Sequence, residues 1–333
     1  MKFNLKNIAV LALLAAACMS VSCKKEKTAT SLLSLNGTLW FDAPIYALPG
    51  DVLTLTPRGA SHPKDGDYGY FWQVIPRTKL FLEANDTTKY LKDDPKTHDG
   101  HIVLTIPDTL CTFTVKCSMF ADGYYNAQVS VDICVVKDES IGNIPHPEGE
   151  KSFTDERDGN TYTYLTADGL DWMSTNLKYA EYGKPYEDCP PITRLFGNLY
   201  TYDEAEQSCP EGWRIPTLEE WQGLCGGSLK GAAGKLMVDA YFNQKKMWEY
   251  WPDVKVTNET GMNVMPVGFA ITAGESWRYS GSFKYAVLWT STDFEDSQKC
   301  SIGLYMDQPD ITVSTSYRDN FAASVRCVRS AAK

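Results

Sequence analysis

Short runs of alternating apolar and polar residues constrain the first half of this chain more than any other feature. The alternation is clearest in four runs, Val52–Thr56, Ile102–Ile106, Cys111–Cys117 and Gln128–Val136. Turn-forming Pro, Gly and Asp residues separate them. Because period-two alternation between turns is typical of half-buried strands, residues 35–137 are predicted to form an all-β sandwich.

The N-terminus has the organisation of an export signal. Lys2 and Lys6 form a basic start, and Ile8–Ala17 is an apolar run too short to span a bilayer comfortably. Cys23 directly follows a small residue, which resembles a bacterial lipobox, the motif in which a cysteine is acylated before cleavage. Cys18 is a rival acylation site because it follows three alanines. An ordinary cleaved signal without lipid is a further alternative.

The lipobox decides the expected compartment and therefore the chemistry expected of the cysteines. It implies a signal peptide over 1–22, a lipid anchor at Cys23 and a tether over 23–34. It also implies that the protein is attached to the outer membrane, either facing the periplasm or exposed at the cell surface. Disulfides are favoured outside the cytoplasm. We expect them, with one unpaired thiol in each group, among Cys111, Cys117 and Cys134 and among Cys189, Cys209, Cys225, Cys300 and Cys327.

A resemblance narrows the fold of residues 35–137. Tyr70–Val74 resembles the central strand of bacterial immunoglobulin-like and PKD-type domains, in which a tryptophan such as Trp72 is buried. Phe113–Val115 resembles their penultimate strand. The strand at Val52–Leu55 has no cysteine, so the usual inter-sheet disulfide is missing. The resemblance implies a spacer domain with Trp72 in its core.

Prolines mark the passage to a second module. Pro145 and Pro147 stand at alternate positions, which favours an extended, semi-stiff linker over 138–152. The second module, residues 153–330, carries motifs in a fixed order: Asp171–Leu177, Gly197–Ala205, Cys209–Thr217, Glu219–Trp221, Leu288–Thr292 and Ser324–Val328. The series resembles the Fibrobacter succinogenes major paralogous domain, common in lipoproteins of Bacteroidota.

That family in turn resembles the C-type lectin fold, which implies an α+β domain. Lectin-like folds commonly tie the first helix to the last strand, and this implies a disulfide between Cys209 and Cys327. Thr217 and Glu220 independently predict a capping box for a helix that begins at Leu218. The expected fold is α+β overall: an N-terminal all-β immunoglobulin-like sandwich followed by a C-type-lectin-like α+β domain.

Catalysis and metal binding have little support in the second module. All four histidines precede it, so a nucleophile there would lack an imidazole base and a zinc site would lack its commonest ligand. Asp155, Asp158 and Asn160 offer calcium ligands, but Asp158–Gly159 also predicts a hairpin turn, which we favour. The net charge of −10 argues against nucleic acid. We predict no catalytic residue, no metal and no cofactor.

Aromatic residues outside the motifs are the candidate ligand contacts: Trp248, Tyr250, Trp251, Trp277 and Tyr279. They fall in two segments where lectin-like folds place variable ligand loops, and flat rings there can stack on a sugar or contact a protein. Core packing is the alternative. We therefore predict a non-enzymatic, membrane-anchored lipoprotein that recognises a glycan or host-surface ligand. The alternatives are a structural or fimbrial component that binds protein partners, and an enzyme of unrecognised type.

Overall fold

The computed structural model describes residues 31–75, 79–85, 100–186, 189–248, 251, 253–273 and 276–332. The predicted signal peptide, the anchor at Cys23 and the rival Cys18 lie outside these residues. The end of the predicted tether, Leu33–Ser34, pairs in parallel with Tyr124–Tyr125. Within the described ranges, every helix is too short or too polar to cross a membrane.

The first module consists mainly of strands. In chain order, its elements are β1 (Leu33–Ser34), β2 (Asn36–Trp40), β3 (Tyr46–Ala47), β4 (Val52–Leu55), β5 (Arg58–Ser61), β6 (Gly69–Ile75), α1 (Lys79–Ala84), β7 (Ile102–Thr105), β8 (Thr112–Phe120), β9 (Tyr124–Tyr125) and β10 (Ala127–Val135). The alternating runs of the sequence all form strands, so this part of the prediction is confirmed.

Strand β8 lies in the middle of the largest sheet of this module, whose order is β3-β10-β8-β6. Phe113, Val115 and Cys117 alternate along β8 and are all buried. They pack in one cluster with Leu104 of β7, because alternate side chains of a strand point to the same face. The period-two pattern in the sequence therefore corresponds to an apolar face and a polar face.

Trp72 is a core residue, as predicted. Its side chain is 3% exposed and its ring lies 5.1 Å from that of Phe41. The indole Nε1 donates a hydrogen bond to the carbonyl of Gly100 at 3.2 Å. The polar edge of the ring is therefore satisfied while its apolar body fills the core.

The second module combines several small sheets with short helices. Its elements are β11 (Ile141–Gly142), β12 (Lys151–Thr154), β13 (Thr161–Ala167), β14 (Leu170–Met173), α2 (Pro190–Phe196), α3 (Tyr202–Ser208), α4 (Leu218–Leu224), α5 (Ala233–Leu236), β15 (Tyr241–Phe242), β16 (Lys245–Lys246), β17 (Phe269–Ala273), β18 (Ser276–Ser280), β19 (Tyr285–Glu295), β20 (Gln298–Tyr305), β21 (Gln308–Tyr317), β22 (Phe321–Ala322) and β23 (Val328–Ser330). The chain as a whole is β-rich.

The beginning and the end of the second module lie in one sheet, of order β12-β13-β14-β23. Cys327 directly precedes β23 and is joined by a disulfide to Cys209, which directly follows α3. The implied pairing of these two cysteines is confirmed. The crosslink joins positions 118 residues apart in the chain.

The predicted capping box at the start of α4 is also confirmed. Thr217 Oγ1 accepts a hydrogen bond from the backbone N–H of Glu220 at 3.1 Å, and Glu220 Oε2 accepts one from the N–H of Thr217 at 2.8 Å. Arg214 donates to both oxygens of the same carboxylate and holds the pKa of Glu220 below its usual value. Thr201 and Glu204 begin α3 with the same reciprocal arrangement.

The expectation of disulfides beyond this one is wrong, because six cysteines of the described chain are free thiols. Burial raises the pKa of Cys117 to about 12 and that of Cys225 to about 11, which suppresses the thiolate needed for disulfide exchange. Five of the six thiols are buried, whereas Cys111 is half-buried. The six are Cys111, Cys117, Cys134, Cys189, Cys225 and Cys300.

The two modules contact each other through a shared apolar cluster. The ring of Tyr46 in the first module lies 5.4 Å from that of Tyr186 in the second. Within the predicted linker, β11 pairs with β15, and the carbonyl of Pro145 accepts a hydrogen bond from Asn263 Nδ2 at 2.9 Å. The proline-containing segment is therefore attached to the surface of the second module.

Arg326 lies at the centre of the second module and is 1% exposed. Its Nε donates to Asn176 Oδ1 at 2.6 Å, and its terminal nitrogens donate to the carbonyls of Met173, Met262 and Asn263 at 3.2, 2.9 and 3.2 Å. Burial lowers the pKa of Arg326 to about 9. The guanidinium joins the closing motif of the module to two separate loops.

Candidate recognition surface

Trp248, one of the predicted ligand contacts, is a core residue. Its side chain is 3% exposed, and its Nε1 donates to the carbonyl of Val264 at 2.9 Å. The expected exposed position of Trp248 is therefore wrong, because the apolar ring fills the main core and its polar atom is paired inside it.

Its neighbours in sequence differ from it. Trp251 is 42% exposed at the surface. Tyr250 lies outside the described residues, so its role as a ligand contact stays a prediction. The short segment around Trp248 therefore contains one buried and one exposed tryptophan.

Trp277 and Tyr279 lie on β18, which forms the edge of a sheet of order β18-β17-β22. The burial of β18 alternates between exposed and half-buried residues, and both aromatic residues are half-buried. Since they stand two positions apart on a strand, their side chains share one face. On this face, Trp277 contacts Lys184 and Tyr279 contacts Tyr186.

An ammonium group lies over the ring of Trp277. Lys184 Nζ is 4.5 Å from the ring centroid, within the range of a cation–π interaction. The same Nζ is 2.5 Å from both carboxylate oxygens of Glu204, which belongs to α3. The ion pair is only partly exposed, so it is less screened than one on the open surface.

Tyr279 is held by the segment that contains Lys184. Its hydroxyl donates to the carbonyl of Pro185 at 2.7 Å, and its ring lies 4.6 Å from the ring of Tyr186. We call the group formed by Lys184, Glu204, Trp277 and Tyr279 the β18 surface; Tyr186 is fully buried and packs beneath it. The β18 surface combines aromatic rings with hydrogen-bonding charged groups, which is the chemistry needed to contact a sugar ring and its hydroxyls.

Residues 166–329 match the family model of the Fibrobacter succinogenes major domain. The second module belongs to this family. Comparisons with curated proteins and with solved structures found no match. The matched range begins within β13 and ends within β23, so the disulfide, both capping boxes and Arg326 all lie within the major domain.

Lys184 and Glu204 were not predicted as members of this surface, and Tyr186 was not predicted as the residue packed beneath it. Glu204 carried a recognisable signal, because its position three residues after Thr201 fits a capping box. Lys184 and Tyr186 flank a proline in a tyrosine-rich stretch of the major domain, which was the available signal for them. Their pairing with β18 depends on contacts far apart in sequence.

Asp155, one of the possible calcium ligands, forms an ion pair with Arg157. Arg157 donates to both carboxylate oxygens of Asp155 at 2.7 to 3.2 Å and lowers the pKa of that carboxyl. Asp158 accepts hydrogen bonds from Asn160, closing the turn between β12 and β13. In the described ranges, no cluster of three or more His, Cys, Asp or Glu residues has a metal-binding arrangement.

Proposed function

We propose that this protein is a non-enzymatic lipoprotein, anchored to the outer membrane through Cys23, whose major domain recognises a glycan through the β18 surface. The carrying observation is the arrangement of Trp277 beside the Lys184–Glu204 ion pair. Lys184 covers one face of the Trp277 ring, so a sugar would stack on the other face, while the paired charges can exchange hydrogen bonds with sugar hydroxyls.

The architecture we propose follows from the same features. The first module acts as an immunoglobulin-like spacer, which is supported by its sheet around the buried Trp72. The major domain adopts a C-type-lectin-like fold, which is supported by the Cys209–Cys327 crosslink and by the pairing of β14 with β23. In this proposal, the lipid anchor and the recognition surface belong to different parts of the chain.

A structural role in fimbrial or envelope assembly is the second candidate. It is favoured by the position of β18 at a sheet edge, because an edge strand offers backbone groups to an extended segment of a protein partner. In that case the aromatic side chains of β18 would contact the side chains of the added strand.

Affinity electrophoresis in gels that contain individual polysaccharides tests the proposal. Trp277→Ala should weaken the binding free energy by about 1–3 kcal/mol, as expected for an aromatic binding contact, and should therefore reduce the retardation. Trp40→Ala is the matched control, since it truncates an exposed tryptophan on β2 of the first module, which is no candidate ligand contact. Equal retardation of both variants, or none with any polysaccharide, would remove the glycan role and leave the protein-binding alternative.

A further inference from the structure

An open strand edge lies on the side of the major domain that β19, β20 and β21 form. These strands make one sheet in that order, so β21 has a strand partner on one side only among the described residues. Val313, Thr315 and Tyr317 near its end are all exposed. We call residues 313–317 the β21 edge. A strand edge of this kind offers backbone N–H and C=O groups to a further strand.

The backbone groups at the odd-numbered positions of the β21 edge point away from β20. Ile311 donates its N–H to the carbonyl of Leu229 at 3.0 Å, outside the sheet, whereas Arg318 donates its N–H to the carbonyl of Ser297 at 3.2 Å, on the β20 side. Successive backbone groups of a strand alternate in direction, so positions 313, 315 and 317 share the outward direction of Ile311. In the described ranges, no backbone group outside the sheet pairs with them.

The sequence of this edge lacks the features that usually protect an exposed strand. Charged side chains, prolines and bulges keep natural edge strands from pairing with other chains. Residues 311–317 contain neither a charged residue nor a proline. The pairing with β20 is regular from the pair of Thr312 with Gly303 to the pair of Tyr317 with Gln298. The β21 edge is therefore a neutral, regular strand that can accept another strand.

We infer that the β21 edges of two copies of this chain pair with each other, antiparallel, around a two-fold axis at Thr315. In this register, Val313 lies opposite Tyr317 of the partner subunit, and Thr315 lies opposite its own copy. Aromatic–β-branched and Thr–Thr pairs across antiparallel strands are both stabilising. Because all three positions point outward, each opposed pair also exchanges both of its backbone hydrogen bonds.

The partner is a second copy because the β21 edge is complementary to itself. A two-fold contact sets the same surface of both subunits face to face, so a charge at its centre would be repelled by its copy. The edge carries no charge, and its exposed apolar residues, Val313 and Tyr317, stand two positions before and two positions after Thr315. The β21 edge shares no residue with the β18 surface, so this inference does not rest on the proposed glycan recognition.

Sedimentation equilibrium of the full chain tests the pairing. It is measured in a density-matched detergent, in enough excess that no micelle holds two chains. The native chain should show a monomer–dimer equilibrium at micromolar concentrations. Thr315→Lys should weaken dimerisation by about tenfold, because two lysines then lie directly opposite each other. Thr54→Lys is the matched control, since it makes the same substitution at an exposed threonine on β4 of the first module.

A mixing experiment distinguishes loss of pairing from loss of folding. Thr315→Lys and Thr315→Asp should each be mainly monomeric alone, whereas their equimolar mixture should dimerise, because opposite charges then face each other across the axis. A variant that had failed to fold would not be rescued in this way. The inference is overturned if the native chain stays monomeric, or if Thr315→Lys dimerises as tightly as Thr54→Lys. It is also overturned if the mixture stays monomeric.

Discussion

The Cys209–Cys327 crosslink should contribute a large part of the stability of the major domain. We consider the double variant Cys209→Ala/Cys327→Ala, which removes the covalent link between the end of α3 and the start of β23. In the chain-entropy description, a crosslink stabilises the fold by restricting the unfolded chain, and its effect grows with the logarithm of the loop length.

The loop closed by this disulfide spans a sequence separation of 118 residues. For such a loop, the entropy relation gives about 5 kcal/mol at 25 °C. Natural domains are stable by only about 5–15 kcal/mol in total, so this loss would bring the major domain close to unfolding. The expected fall in its melting temperature is roughly 10–20 °C, at about 2–4 °C for each kcal/mol in a domain of this size.

Urea and thermal unfolding followed by tryptophan fluorescence measure this loss. The matched control is Cys189→Ala/Cys225→Ala, because it removes two sulfur atoms from buried positions without breaking a crosslink. If the two double variants lose the same free energy of unfolding, the stabilisation arises from packing of the sulfur atoms, and the chain-entropy argument is refuted for this protein.

Further predictions concern a buried charge, a titrating carboxyl and the anchor. Arg326→Met should lower the free energy of unfolding by about 3–5 kcal/mol, because it leaves Asn176 Oδ1 and three carbonyls without this donor. Unchanged urea unfolding would show that the cost of burying the charge equals the stabilisation from its hydrogen bonds. Arg157 lowers the pKa of Asp155 in the folded protein below its usual value of 3.8. The ionised Asp155 therefore stabilises the fold above pH 3.8, and this stabilisation is lost as the pH falls through the folded-state pKa. Asp155→Asn should therefore reduce the difference in unfolding free energy between pH 7 and pH 3, and an identical difference in both proteins would contradict this. Cys23→Ala should abolish labelling by a radioactive fatty acid and release the protein from membranes, whereas retained labelling would assign acylation to another residue such as Cys18.

Features that depend on a few consecutive residues were predictable from the sequence. Four strands of the first module, β4, β7, β8 and β10, follow from alternation that spans four to nine residues. The α4 capping box follows from Thr217 and Glu220 alone. The Cys209–Cys327 pairing was predictable in a different way, through the resemblance of the surrounding motifs to a family, because spacing alone does not determine which cysteines meet.

The tertiary structure alone decided which aromatic residues are available to a ligand. Trp248 and Trp277 both stand in polar, aromatic-rich segments, yet one is buried against Val264 and the other lies beneath Lys184. Tyr46 and Tyr186 likewise pack ring against ring although they belong to distant parts of the chain. Burial and cavity shape arise from contacts between distant segments, whereas strand periodicity and helix capping arise within one, and this is the physical reason why the sequence determined the elements but not the sites.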